Sequence, residues 1–316
     1  MAVAQRSMVL GALGTVSSPL GLAQAEPVAQ RLRAAGLDVH PVPVPPGDAP
    51  EGDPGAALRA ALVAGEIDVA VHSVTDLPVV ADARMVLAAV PERSDPRDAL
   101  VARDGMVLGE LPAGAVLGTG SPRRGRQLQA LGLGLRVVPV RGEIDSRIRR
   151  VTDGELDGVV VAAAELGWLG RIAEATELLD PLQMLPAPGQ GALACQCRVD
   201  DLDTEHVLGT LLDDAGARAA VTAERALLAA ISEGGDAAVG ALADVVEDFD
   251  DTGRVVLRLF LRGMAATADG GVFRSSGTGE LTDADELGRQ VAAELLDLAA
   301  GALGERPGAA WPGPTA

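Results

Sequence analysis

Eight of the chain's 26 basic residues fall between Arg123 and Arg150: Arg123, Arg124, Arg126, Arg136, Arg141, Arg147, Arg149 and Arg150, offset there only by Glu143 and Asp145. Guanidinium forks bind carboxylates and phosphates through paired hydrogen bonds, so the cluster implies an anionic ligand. The stretch "GTGSPRRGRQL" (Gly118 to Leu128) reads as a small-residue turn that opens a helix. That leaves free N–H donors at the helix start, with Arg123 and Arg124 in its first turn. The same residues also suit a solvated helix face. A second candidate is Asp76 in "VAVHSVTDLPV" (Val69 to Val79). It sits on a turn at the carboxyl end of a strand, where open α/β sheets bind ligands, or where an aspartate simply caps the turn.

The rest of the chain narrows the ligand class. Net charge is −19 over 316 residues, so the mean field repels nucleic acid and anionic membranes, and neither is an expected partner. Any anion must be captured locally. Every basic side chain is arginine, a pattern that arginine-rich codon usage accounts for. It removes amine chemistry, because no lysine can form a Schiff base or serve as a base. Cys195 and Cys197, one residue apart in "ALACQCR", make no zinc set and suit a reducing cytoplasm as small packing residues. His40, His72 and His206 are scattered, so no metal site is expected, and His72 reads as a structural hydrogen-bonding residue. Arg6, "MVLGALGTV" and "AQA" imitate a signal peptide, but "SSP" interrupts the run. No apolar run is long and clean enough to span a bilayer.

The elements that must position these residues alternate in the first half. "SMVLGAL" predicts a strand, "SPLGLAQAEPVAQRLRAAG" a helix capped by Ser18 with Pro19 at its first position, and "DVHPVPV" a strand. "PPGDAPEGDPG" is a loop by composition, "AALRAALVAGE" a helix and "IDVAVHS" a strand. A second series runs from "AVLGTG" through "LRVVPVRG" to "LDGVVVAAAEL". After "LPAPGQGALACQCR" the texture changes to a long amphipathic helix, "DAGARAAVTAERALLAAI", two antiparallel strands, "RVVLRLFLRGMA" and "GGVFRSSGTGE", and the closing helix "DADELGRQVAAELLDLAAGAL". The Pro/Gly-rich residues 305–316 are expected to be a disordered tail.

Four ordered segments, "VAVHSVTDLPV", "GTGSPRRGRQL", "VRGEIDSRIRRV" and "LPAPGQGALACQCR", together resemble the porphobilinogen deaminase (hydroxymethylbilane synthase) family; "DPRDAL" and "VTAERALL" fit the same pattern. The resemblance covers nearly the whole chain. It implies an α/β protein with two hinged, doubly wound domains resembling type II periplasmic binding proteins, plus a smaller α+β C-terminal domain. The expected boundaries are 1–92 with 189–214 for the first, 93–188 for the second and 215–304 for the third. It further implies a cytoplasmic monomer that joins porphobilinogen or another carboxylated pyrrole head to tail, with loss of ammonia, on a dipyrromethane primer held by a cysteine thioether. Asp76 matches the family's catalytic aspartate. Ser121, Arg123, Arg124, Arg141 and Arg147 match cofactor- and substrate-carboxylate contacts, Arg171 matches another across a short gap, and Ser73 and Thr119 add hydroxyls. On that carry-over, Arg123→Leu or Arg124→Leu is expected to abolish binding and leave the fold intact.

Four departures stand against the matches. The family's Gly-Gly-Cys loop reads "ISEGGDAAVGA" here, placing Asp236 where the anchoring cysteine belongs, and a carboxylate cannot form the thioether. The lysine before the catalytic aspartate is Thr75, an N-terminal arginine is Val16, and a lysine-bearing loop is the acidic "PGDAPEGDPG". These changes imply deaminative pyrrole condensation without a covalent dipyrromethane primer. Ordinary hydroxymethylbilane synthase activity, with the primer held by arginines alone, and a non-catalytic binder of pyrroles or small anions are the alternatives.

Overall fold

The computed structural model describes residues 11–46, 53, 55–232, 238–250, 252–267 and 270–304. The chain begins β1 (Ala12–Val16), α1 (Pro19–Ala34), β2 (His40–Val44), α2 (Ala56–Ala64), β3 (Val69–Ser73) and β4 (Met85–Ala89). It continues β5 (Asp98–Ala102), β6 (Val116–Thr119), α3 (Pro122–Ala130), β7 (Arg136–Pro139), α4 (Ile144–Thr152), β8 (Gly158–Ala162), α5 (Ala163–Trp168) and β9 (Glu177–Leu178). It ends β10 (Leu193–Arg198), α6 (Leu202–Leu212), α7 (Ala215–Ser232), β11 (Ala238–Phe249), β12 (Val255–Ala266), β13 (Val272–Gly279) and α8 (Ala284–Gly304).

Two compact units result: residues 1–93 with 192–218, and residues 94–191 with 219–316. The first holds a five-stranded sheet, β2-β1-β3-β10-β4, in which β1, β2 and β3 are parallel and β10 runs antiparallel to both neighbours. Its second strand is the edge, which explains how "HPVPV" tolerates Pro41 and Pro43. The helix α1 forms as its sequence predicts. Ser18 accepts from the Gly21 N–H at 3.0 Å, and Pro19 occupies the first turn. Of "SMVLGAL", Ala12 and Leu13 fall in β1, which runs on to Val16 opposite His40–Val44, and residues 7–10 lie outside the described residues.

The second unit carries a sheet of the same plan, β7-β6-β8-β5-β9, parallel except for β5. Both its faces are covered: Val159 and Val161 point into one core with Ile144, Ile148 and Leu166, and Val160 into another with Leu117, Leu128 and Met184. That double burial is why β8 is the unbroken apolar run "GVVVA". The same unit contains the antiparallel sheet β11-β12-β13. Its inner face (Ala241, Ala243, Leu259 and Leu261) packs on Leu227 of α7 and Val291 and Leu295 of α8. Three strands stand where the sequence predicts two.

Candidate active site

Ser73, the last residue of β3, and Asp76 belong to the first unit. β3 is buried along its whole length between β1 and β10, which fixes where its carboxyl end emerges. There the chain makes one 3₁₀ turn, Val74–Asp76, closed by the Leu77 N–H to the Val74 carbonyl at 3.1 Å. The Ser73 hydroxyl caps it, accepting from the Thr75 N–H at 3.3 Å and bonding the Thr75 hydroxyl at 2.8 Å. Asp76 is half-buried on this turn, and its carbonyl accepts from Arg59 Nη1 at 3.4 Å. The His72 ring is fully buried and bonded through Nε2 to Gln196 Oε1 at 2.9 Å, a structural partner.

The second unit carries Thr119, Ser121, Arg123, Arg124, Arg141, Arg147 and Arg171. Thr119 ends β6, and its hydroxyl accepts from the Ser121 N–H at 3.2 Å. The helix α3 begins at Pro122, where the sequence predicts, and Ser121 caps it. Arg123 and Arg124 do not stand as open forks. Both are buried, and both bind Asp98 of β5: Arg123 Nη1 to Oδ2 at 2.8 Å and Arg124 Nε to Oδ1 at 2.9 Å. Arg123 also donates to the Leu185 carbonyl. Gln190 completes the cage. Its amide nitrogen donates to Asp98 Oδ1 at 2.9 Å, and its oxygen accepts from both guanidiniums at 3.3 Å. Burial alone would raise the Asp98 carboxyl, but the charges of Arg123 and Arg124 and their hydrogen bonds hold it below its ordinary value. Two guanidiniums around one carboxylate leave a net positive charge beneath the surface.

The loop bearing Gln190 is itself pinned. The buried Glu224 of α7 accepts from the Gly189 N–H at 2.6 Å and the Ala243 N–H at 2.8 Å. Gly191 has φ +83°, and a Cβ there would lie 2.8 Å from the Ser94 carbonyl, so only glycine fits. Sequence reasoning missed Asp98, Gln190 and Arg59. Asp98 and Gln190 do lie inside the motifs "DPRDAL" and "LPAPGQGALACQCR", which was the available signal.

The remaining arginines differ in availability. Arg171 is held by Glu174, at 2.5 and 2.8 Å, and by Asp145. Arg147 of α4 donates to Glu165 at 3.1 Å, and its Nε is buried with no partner among the described residues. Arg141 is exposed and has no hydrogen-bond or ion-pair partner among the described residues. It precedes α4, whose N-cap Glu143 makes no side-chain cap. Arg141, the uncapped first-turn amides of α4 and Arg147 therefore lie on one loop and helix start, an arrangement suited to a carboxylate. Asp236 falls outside the described residues, as do residues 305–316 and most of "PGDAPEGDPG". Among the described residues no group of three or more His, Cys, Asp or Glu side chains is placed to hold a metal ion.

The chain's two thiols give a chemical test of a thioether-bound group. Cys195 and Cys197 are free and buried in β10. Burial, reinforced by acidic neighbours, pushes Cys195 up to about 12 and Cys197 up to about 11. Neither presents a thiolate at neutral pH. Native protein at pH 8 should accordingly resist iodoacetamide, with two alkylations appearing only in denaturant by intact mass. Modification of the native chain at comparable speed would contradict this burial.

Residues 12–206 match the family described as "Porphobilinogen deaminase, dipyromethane cofactor binding domain", and residues 218–297 match "Porphobilinogen deaminase, C-terminal domain". A porphobilinogen deaminase of Nocardia farcinica is 55% identical over 312 residues, covering 95% of this chain and 90% of the relative. One from Mycolicibacterium gilvum is 53% identical over 299 residues, covering 91% and 96%. Among solved structures, the Bordetella pertussis BvgS VFT2 domain aligns at TM-score 0.41 and 19% identity, covering 66% of this chain and 88% of that one. The second substrate-binding domain of a putative Streptococcus pneumoniae amino acid ABC transporter aligns at 0.42 and 16%, covering 63% and 90%. With both domains matched and relatives above half identity along almost its full length, this chain belongs to the porphobilinogen deaminase family.

Proposed function

We propose that this chain is a deaminating pyrrole transferase that condenses porphobilinogen, or a pyrrole with the same carboxylate arms, onto an acceptor pyrrole that is not thioether-linked to the protein. Asp76 is the proton-handling group. The amino group of the substrate's aminomethyl arm leaves as ammonia, its methylene carbon stays on the ring as the electrophile, and the Asp76 carboxylate stabilises the positive charge that develops on the pyrrole nitrogen. The acceptor's α-carbon then forms the new C–C bond to the exocyclic carbon, and its displaced proton is taken up with help from the same carboxylate. Arg141 and Arg147, with the start of α4, hold the substrate's carboxylates. The buried pair Arg123 and Arg124 keeps positive potential beneath the α3 start that Ser121 and Thr119 shape.

Family membership supports the reaction class. The observation that carries the untethered acceptor is the state of the thiols: both cysteines lie buried in β10 with their ionisation suppressed, and the sequence carries Asp236 in the loop where the resemblance would put a cysteine. The reading includes a monomer working in a reducing cytoplasm, which two free thiols suit. No helix among the described residues is long and apolar enough to cross a membrane.

Intact mass before and after incubation with porphobilinogen, with ammonia followed in the same tube, tests the proposal. Ammonia released at an unchanged mass is the expected result. A mass increase by pyrrole units would restore a tethered mechanism, and stoichiometric binding without ammonia would make the protein a binder.

A further inference from the structure

Beside the Asp76 turn lies a cation that no motif announces. Arg59 projects from α2, and its side chain is only 12% exposed. Its Nη2 bonds Asp53 Oδ2 at 2.5 Å, and its Nη1 reaches the Asp76 carbonyl at 3.4 Å. Gly55, just before α2, makes the approach possible. A Cβ at position 55 would lie 2.5 Å from Arg59 Nη1 and 3.2 Å from both the Asp76 carbonyl oxygen and His72 Nδ1. Three polar atoms thus converge over a residue with no side chain. The Arg59 charge is also felt at Asp82, although Arg84 dominates there. Thr75, the residue directly before Asp76, contributes no charge and bonds back to Ser73, and the chain contains no lysine.

We infer that Arg59 is a positioning residue for Asp76: fixed by Asp53 and admitted by Gly55, it clamps the carbonyl of the Val74–Asp76 turn and supplies from α2 the positive charge that position 75 lacks. A buried guanidinium is suited to the task because its planar fork can hold a carboxylate with one arm and a carbonyl with the other. A lysine at position 59 would keep the charge and lose one of the two bonds. The inference rests on Asp76 being the proton-handling group, and the experiment separates the two claims.

Arg59→Gln, Arg59→Lys, Gly55→Ala and the double variant Gly55→Ala/Arg59→Gln are compared with wild type in two measurements, ammonia release from porphobilinogen and amide exchange of Thr75 to Leu77. Arg59→Gln should lower kcat by about 10-fold or more with KM within about 2-fold, and Arg59→Lys should recover part of the loss. Gly55→Ala should resemble Arg59→Gln, and the double variant should be no slower than Arg59→Gln alone, because both changes break one contact. The turn amides should exchange about 10-fold faster in Arg59→Gln. Unchanged exchange, or multiplicative losses in the double variant, overturns the clamp. If wild type releases no ammonia, the function proposed above falls, while the exchange measurement still decides whether Arg59 holds the turn.

Discussion

Asp98→Ala is expected to lower the free energy of unfolding by about 3–5 kcal/mol, because it strands two buried guanidiniums without their counter-charge. The carboxylate is fully buried and accepts from Arg123, Arg124 and Gln190, and nothing else at the site replaces it. Asp98→Asn, which keeps the shape and removes the charge, should lose nearly as much. Urea unfolding followed by circular dichroism reads the difference, and a wild-type midpoint for either variant would refute the cage. The pH dependence follows from the direction of the shift. Asp98 titrates lower in the fold than its ordinary 3.8, so its contribution is complete above about that pH and is lost as acid drives the pH through the folded value. By the same physics Arg123→Leu leaves Asp98 with one charged partner, so the variant loses fold along with binding. That corrects the expectation that the sequence alone supports. Arg141, exposed and unpaired among the described residues, is the arginine whose removal reports on ligand alone.

The second large effect is on rate. Asp76→Asn should reduce ammonia release by about 10²–10⁴-fold, the range that a positioned acid or base contributes. KM should move little, since the arginines proposed to hold the substrate's carboxylates are untouched. The fold should survive, because the turn is closed by main-chain bonds and the Ser73 cap, with Asp76 only half-buried. Steady-state kinetics within 3-fold of wild type, on a variant with an unaltered melting curve, would remove Asp76 from the chemistry.

Local signals in the sequence were read correctly where the physics is local. The Ser18–Pro19 and Ser121–Pro122 starts are each decided within four residues, and both helices begin there. The apolar run of β8 likewise reads as part of the second βα series, and it forms a strand. What escaped depends on distance along the chain. The partners of Asp98 are 25, 26 and 92 residues away, and Arg59 lies 17 residues from the carbonyl it holds, so no motif window contains both halves. The strand β11 escaped for another reason. Its outer half carries Asp244, Glu247 and Asp248 among apolar residues, which hides the alternation that Ala241 and Ala243 show at the core.

The edge strand β2 has a consequence for how copies of this protein meet. A parallel strand donates to its single neighbour from alternate residues, and proline has no N–H. Pro41 and Pro43 must therefore belong to the outward-facing set, with His40, Val42 and Val44 left to serve β1. A strand from another molecule arriving at that margin finds carbonyl oxygens and no donors between Pro41 and Pro43. The β2 margin of the first sheet is thus closed to growth by two residues that carry no chemistry of their own, and crowding many copies together gives that edge no template to extend.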